Sequence, residues 1–313
     1  MSAGIAGIGA TMPGGVPPIS VAPYRTRSAT AFQTSIAAGA SAAVLTLTGA
    51  GVVLGFQLSL YDNTSSTGTA AKSAVVKITA DGASSPQITF DAGTLGAWFP
   101  TAAVARACEH MQVQVPDVQD NAITWRYPIF FSNGLTIEVD NVSTTDELYA
   151  YSDSWYSNDV QSPLRLYGEG LVTSAAATLT ETENYTWLTR AAGKSGWIVG
   201  HALSISGASN LTYLFRTPQA LVNGEASASY QTSSTEDWIT GSFLFAISPQ
   251  SSPWHYNTVA ASSGDSNSFL DLLRKHGGLQ YTDGITLEWV VNSSSPLSIT
   301  TSCTMTYLTL YYE

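Results

Sequence analysis

The sequence predicts an all-β protein made of two tandem jelly-roll β-sandwiches, a double jelly roll, with short helices in loops and an extended amino-terminal arm. Three observations predict it. Apolar and polar residues alternate with period two, Asn/Asp-Gly turn signals separate the alternating runs, and landmarks recur in the same order in both halves of the 313 residues.

The arm comes first. Residues 1–24 are rich in Gly and Pro, with PGGVPP at 13–18, which excludes regular helix or strand. Such a segment is ordered only where something holds it, so it is expected to lie on another surface, most simply a neighbouring subunit. From about residue 30 the alternating runs begin. LGFQLSL (54–60), MQVQV (111–115), LTIEV (135–139) and CTMTYLTLYY (303–312) read as half-buried strands. Between such runs stand YDNTSSTG, TADG, VNGE and YTDG, whose Asn and Gly tolerate positive φ. Two stretches read as helix: 95–108 (LGAWFPTAAVARAC), and 267–276 (NSFLDLLRKH), which starts at an Asn267 N-cap and stops at Gly277-Gly278.

The repeat is long-range. YPIFFSNGLTIEVDN (127–141) and LQYTDGITLEWVVN (279–292) share an Asn/Asp-Gly pair followed by alternating apolar, Thr and Glu positions, and their glycines, Gly134 and Gly284, are 150 residues apart. GVVLGFQLSL from Gly51 matches GWIVGHALSI from Gly196 at an offset of 145, Asp81-Gly82 matches Asn223-Gly224 at 142, and Trp98 matches Trp238 at 140. Ordered landmarks with drifting offsets predict two related halves, 25–160 and 161–313. Each has room for the roughly eight strands of a jelly roll, whose two facing sheets protect strand edges.

Composition narrows the function. Apolar residues make up 44% and charged residues 11%, against about a quarter charged in an average domain. A surface built from Ser, Thr, Asn and Gln suits a β protein partly covered by neighbours. The net charge of -11 reflects only 12 Lys and Arg, with no basic patch, so direct nucleic-acid binding is not expected. The first residues lack the basic region and compact apolar core of a secretory signal, and no apolar run spans a membrane, so synthesis in the host cytoplasm is expected. Cys108 and Cys303 make no metal spacing with His110, His201, His255 and His276. They read as buried small hydrophobes and the histidines as isolated side chains, with no metal and no cofactor. GAGVVLG lies in a strand pattern rather than before a helix, which argues against a phosphate loop.

Several segments carry a family resemblance. VVKITADGASSPQITF (75–90), the aromatic pair at 98–99 and WRYPIFFSNGLTIEVDN (125–141) resemble the first half of glycoside hydrolase family 172 and its uncharacterised relatives. GWIVGHALSI, VNGE and TEDWITGSFLF (235–245) resemble segments of its second half. The resemblance implies a double jelly roll forming trimers with six jelly rolls in a pseudo-hexamer, an architecture shared with double jelly-roll viral major capsid proteins. As an enzyme, it implies two carboxylates about 5 to 5.5 Å apart for a retaining reaction. Glu236 in TEDW is the matching acid. The loop that should supply the second is SPQSSPWHYNTVAASSGDSN, whose only acid is Asp265. Glu138 and Glu288 occupy matching strand positions, opposite the apolar alternation, and read as solvated strand residues. Trp254-His255-Tyr256 and Tyr311-Tyr312 could stack on sugars, but read first as core or subunit contacts.

The expected function is therefore a structural protein of a virus particle, a major capsid protein assembling as homotrimers. Its arm would clamp neighbouring capsomers beside other virion proteins. The alternatives are a glycoside hydrolase acting on furanosides through Glu236 and Asp265, a carbohydrate-binding module, and a spike, decoration or tail component of the virion.

Overall fold

The computed structural model describes residues 25–64, 68–95, 104–117, 120–179, 184–206, 217–232, 250–253, 255–260, 265–290 and 303–313. The arm, the aromatic pair at 98–99 and Trp238 lie outside the described residues.

The chain is almost entirely β. The first half carries β1 (Arg27–Ile36), β2 (Ser41–Leu47), β3 (Gly51–Asp62), the short α1 (Thr69–Ser73), β4 (Val75–Ala80), β5 (Ile88–Asp91), β6 (Val104–Ala107), β7 (Met111–Asp117), β8 (Asp120–Trp125), β9 (Ile129–Phe131), β10 (Leu135–Asp140) and β11 (Leu148–Ser157). The second half carries β12 (Leu166–Leu171), β13 (Ala177–Leu179), β14 (Tyr185–Arg190), β15 (Gly196–Ser206), β16 (Thr217–Val222), β17 (Tyr230–Gln231), β18 (Gln250–Ser252), β19 (His255–Ala260), β20 (Asp265–Asp271), α2 (Leu272–His276), β21 (Leu279–Tyr281), β22 (Ile285–Val290) and β23 (Cys303–Tyr312).

Among the described residues these strands form four antiparallel sheets, in two matching pairs. The first large sheet runs β1-β11-β3-β8-β7-β6 with β9 beside β3, and faces the sheet β2-β10-β4-β5. The second large sheet runs β12-β23-β15-β20-β19-β18 with β21 beside β15, and faces β14-β22-β16-β17. Strand for strand the orders are the same. Where β1 is one bulged strand, its counterpart is split into β12 and β13, both paired with β23.

The repeated Asn/Asp-Gly pairs have a physical cause. Asp81 sits at φ 60° and its Oδ1 accepts the backbone N–H groups of Ser132 and Asn133, at 2.5 and 2.7 Å. Asn223 sits at φ 56° and its Oδ1 accepts those of Thr282 and Asp283, at 2.8 and 2.9 Å. One turn thus clamps the other in each half, and only a short oxygen-bearing side chain tolerates the left-handed backbone while reaching across. Gly134 and Gly284, at φ 101° and 84°, complete the clamped turns.

Both helix expectations need correction. Val104–Ala107 is β6, paired with β7; residues 96–103 lie outside the described residues. Asp265–Asp271 is β20, held by β15 on one edge and β19 on the other. Pairing on both edges overrides the helical periodicity of 267–271, because a strand buried on two faces shows a continuous apolar run. Helix α2 is confined to Leu272–His276; its N-cap is Asp271, whose side chain accepts the Arg274 N–H, and it ends at Gly277 as expected.

The second large sheet is buried on both faces. Met305, Tyr307 and Tyr311 of β23 point into the core of their own sandwich, while Leu308, Leu310 and Tyr312 join the core of the first. The open end of the first sandwich packs on that outward face. An aromatic column crosses the junction: Phe56 and Phe90 stack on Trp125, Trp125 meets Tyr127, Tyr127 meets Phe269, and Phe269 stacks on Tyr256, with centroids 5.4 to 6.2 Å apart. Buried tyrosine hydroxyls are satisfied across it: Tyr127 donates to Val199 O, Tyr312 to Pro128 O and Tyr256 to Leu95 O. Two glycines make the approach possible. A Cβ on Gly168 would stand 2.8 Å from Ile88 Cγ2, and one on Gly200 would stand 2.9 Å from the Tyr127 hydroxyl. At the rim, His110 Nδ1 lies 2.8 Å from Asp271 Oδ2, and Arg165 Nε donates to Asp81 Oδ2 at 2.8 Å.

Leu308→Ala empties a fully buried position of this junction and is expected to cost about 2 to 5 kcal/mol. Because the core is shared, denaturant titration followed by probes in each half should show one transition shifting as a unit; a loss confined to the second half would contradict the shared core. Burial raises the Asp81 pKa, but the N–H groups of Asn133 and Ser132 and the Arg165 guanidinium outweigh it and hold the carboxyl below its usual 3.8. Its ion pair therefore stabilises the fold above that value, and the contribution is lost as pH falls through the lower folded pKa. Asp81→Asn keeps the clamp, as Asn223 does. It should cost no more than about 1 kcal/mol at pH 7, and the difference from the parent chain should vanish as pH falls well below 3.8; an equal gap at both pH values would contradict the ion-pair account.

Candidate assembly surface

The acids singled out from sequence do not form a site among the described residues. Glu236 lies outside them. Asp265 opens β20 opposite Ala260 of β19, as Asp120 opens β8 opposite Asp117 of β7, so an acid at the start of that strand is part of the repeated framework. Glu288 takes a hydrogen bond from Gln219, and Glu138 stands opposite Lys77, both on the outward sides of the smaller sheets. No group of three or more His, Cys, Asp or Glu able to hold a metal occurs among the described residues.

The histidines and cysteines have structural settings. His201 is buried, with Nδ1 3.0 Å from Thr309 Oγ1 and its ring 4.5 Å from Trp187; burial pushes its pKa down to about 3. Burial, then the Lys275 charge, lowers His255 to about 4. Both rings are neutral near pH 7. Cys108 and Cys303 are both buried, and burial pushes the Cys108 thiol far up. Tyr311 stacks on Tyr167 under the Arg190 guanidinium, while Tyr312 and Tyr256 belong to the junction. Trp254 lies outside the described residues. These aromatics serve the core and the junction.

A different surface emerges when the two large sheets are compared. In the second, Leu310 pairs with Gly200 and Leu308 with Ala202. In the first, Trp155 pairs with Gly55 and Asp153 with Gln57. A bulge follows at the corresponding point in each ladder, between Ile198 and Gly200 and between Trp155 and Tyr156. Trp155 thus takes the place of Leu310, and Gly55 that of Gly200. The outward face of the second sheet is covered by the first sandwich. Among the described residues nothing covers the equivalent face of the first sheet, where Trp155 is 36% exposed and Phe32 83% exposed.

That face is aromatic and poor in charge. Tyr61 and Tyr149 stack at 6.4 Å, and Phe32 meets Tyr151 edge-on at 5.8 Å. A shallow depression of about 370 Å³ is lined by Ser59, Tyr61, Asp120, Asn121, Ala122 and Tyr151. Two of its acids are held in hydrogen bonds: Asp153 accepts from Thr30 at 3.2 Å, and Glu147 accepts from Ser35 and from Asn63. Those bonds from Ser35 and Asn63 hold the Glu147 carboxyl below its usual pKa. Aromatic rings set among Ser, Thr and Gln, with few ions to desolvate, are the chemistry of a protein interface. The sequence signal for this face lies in LYAYSDSWYS (148–157), where Tyr149, Tyr151 and Trp155 share one parity while Leu148 and Ala150 take the other. Among the described residues no helix is long and apolar enough to cross a membrane.

Comparison with known proteins locates the fold. No family model matches the chain, and no curated protein matches it; the glycoside hydrolase resemblance is not shown by these comparisons. Among solved structures, the chain is similar to the STIV MCP, a double jelly-roll viral major capsid protein, at 11% identity and a TM-score of 0.52, over 92% of this chain and 96% of that one. It also matches the major capsid protein P2 from bacteriophage PM2, at 11% identity and a TM-score of 0.43, over 92% of this chain and 97% of that one. The fold is a double jelly roll.

Proposed function

We propose that the protein is a structural protein of a virus particle, a major capsid protein built as a double jelly roll and assembling as homotrimers. The six sandwiches of a trimer make a near-hexagonal block that tiles a shell. The observation that carries the reading is the unequal treatment of two equivalent faces: one is covered inside the chain, and its counterpart is left bare with exposed aromatic residues. A chain whose repeated unit already binds its neighbour in sequence has the parts for a closed head-to-tail ring. The likeness to the STIV MCP over nearly the whole of both chains supports the same reading.

In this reading residues 1–24 form the arm, 25–160 the first unit and 161–313 the second. The arm reaches neighbouring capsomers, other virion proteins bind the finished block, and the protein resides in the virion after synthesis in the host cytoplasm. It takes no cofactor and performs no catalysis.

Deleting residues 2–24 should weaken assembly of trimers into larger shells, read by electron microscopy, while circular dichroism and the unfolding midpoint of the remaining chain stay unchanged. Native mass spectrometry should find three chains per block. A strictly monomeric protein that hydrolyses aryl arabinofuranosides, and loses that activity in Glu236→Gln, would overturn the proposal.

A further inference from the structure

We infer that the contact between copies repeats the contact between the two sandwiches of one chain. The open end of the second sandwich docks on the bare face and free edge of the first sandwich of another copy, with β17 meeting β1. This rests on the trimeric reading above and specifies which surfaces, which residues and which orientation it uses.

The ladder registers give the correspondence. Within the chain, the Gly168 N–H donates to Gln87 O at 2.9 Å, Ile88 sits over Gly168, and Arg165 reaches Asp81 and Ser132. Gly168 pairs with Leu310, whose counterpart Trp155 pairs with Ser28. Ser28 is therefore the equivalent of Gly168, and Arg25, three residues earlier, is the equivalent of Arg165. On the other side, the Gln87 N–H donates to Ile78 O and the Ser229 N–H donates to Ala220 O. Ser229 is the equivalent of Gln87, and Tyr230 that of Ile88. The Asp81 turn corresponds to the Asn223 turn by its clamped partners.

Transferred to two copies, the rule places the partner's β17 along the free edge of β1. The Ser28 N–H meets the carbonyl of Ser229, the ring of Tyr230 lies over Ser28, and the face around Trp155 and Gly55 is covered. Tyr230 is only partly buried in the chain, and among the described residues β1 is paired on one edge alone, with β11. An unpaired edge is a template for another strand.

Charge fits the same arrangement. Arg25 and Arg27 are exposed at the start of β1, two of only 12 basic residues in the chain. The turn they would meet carries exposed Glu225 and Asp283. Asn223 replaces the carboxylate that pairs with Arg165, so these neighbouring acids supply the charge that Arg25 needs. Nothing comparable faces Phe32, Tyr61 and Tyr149. In the second sandwich the positions equivalent to Tyr61 and Tyr149 are Ser206 and Thr304, and both remain exposed. The contact is thus centred on the Trp155 end of the face.

The test is a cysteine pair in the full-length chain. Ser28→Cys with Tyr230→Cys replaces two accessible positions, and the native cysteines are buried. Mild oxidation of the assembled double variant should yield covalent dimers and closed trimers on a non-reducing gel, while either single variant yields neither. In parallel, Trp155→Glu should weaken self-association by about tenfold or more without changing the circular dichroism spectrum. Trimers that form no Ser28–Tyr230 link, or that tolerate Trp155→Glu, overturn this contact and leave the capsid reading standing. A disulfide closing within one chain overturns it too. A parent chain that stays monomeric removes both.

Discussion

An open end of a β-sandwich must be closed, because the rings and strand ends that line it cannot be left to water. In this protein the first sandwich is closed by the second: the column from Phe56 through Trp125 and Tyr127 ends on Phe269 and Tyr256. The covering sheet is consequently apolar on both faces. Val199, Ala202, Leu308 and Leu310 join the first core, while Leu203, Ile205, Met305 and Tyr307 serve the second. A sheet buried on both sides carries apolar residues at both parities of its strands rather than one, so β23, whose alternation reads as half-buried, buries Tyr307 and Tyr311 on one side and Leu308, Leu310 and Tyr312 on the other. The packing also fixes Gly168 and Gly200, where any side chain would strike Ile88 or Tyr127.

The same constraint sets what the surface can do. Few charges are present, and several of those near the junction are spent holding the halves together: Arg165 with Asp81, His110 with Asp271, and Arg274 with Glu109. His201 and His255 are kept neutral by burial, so neither is poised to move a proton near pH 7. What remains exposed is a broad sheet face of aromatic and hydroxyl side chains. Its edge strand carries a bulge, with Gln33 at φ 49°. Such a surface gains by being covered, and the covered face of its twin shows how.

Much of this was legible in the sequence. The repeated Asn/Asp-Gly pairs and the Gly51 and Gly196 strands marked a duplication, and the strand orders of the two halves agree throughout. Those signals are local, resting on backbone conformations that only a few residues adopt. The alternation of LTIEV placed Glu138 correctly because one face of β10 is buried. The failures have the opposite character. Residues 267–271 looked helical until a ladder on each edge made them β20, and the face of Trp155 went unread because its meaning depends on Leu310, 155 residues away. The role of Arg165 is equally invisible locally, since its partner Asp81 belongs to the other half.

The account's central claim is that the bare face of the first sheet is made to be covered by the second sandwich of another copy. Hydrogen–deuterium exchange on free and assembled chains tests it most directly. The account predicts that protection gained on assembly concentrates in residues 25–36 and in the 217–232 hairpin. Assembly that leaves both segments exchanging as in the free chain, with protection appearing elsewhere, would contradict it.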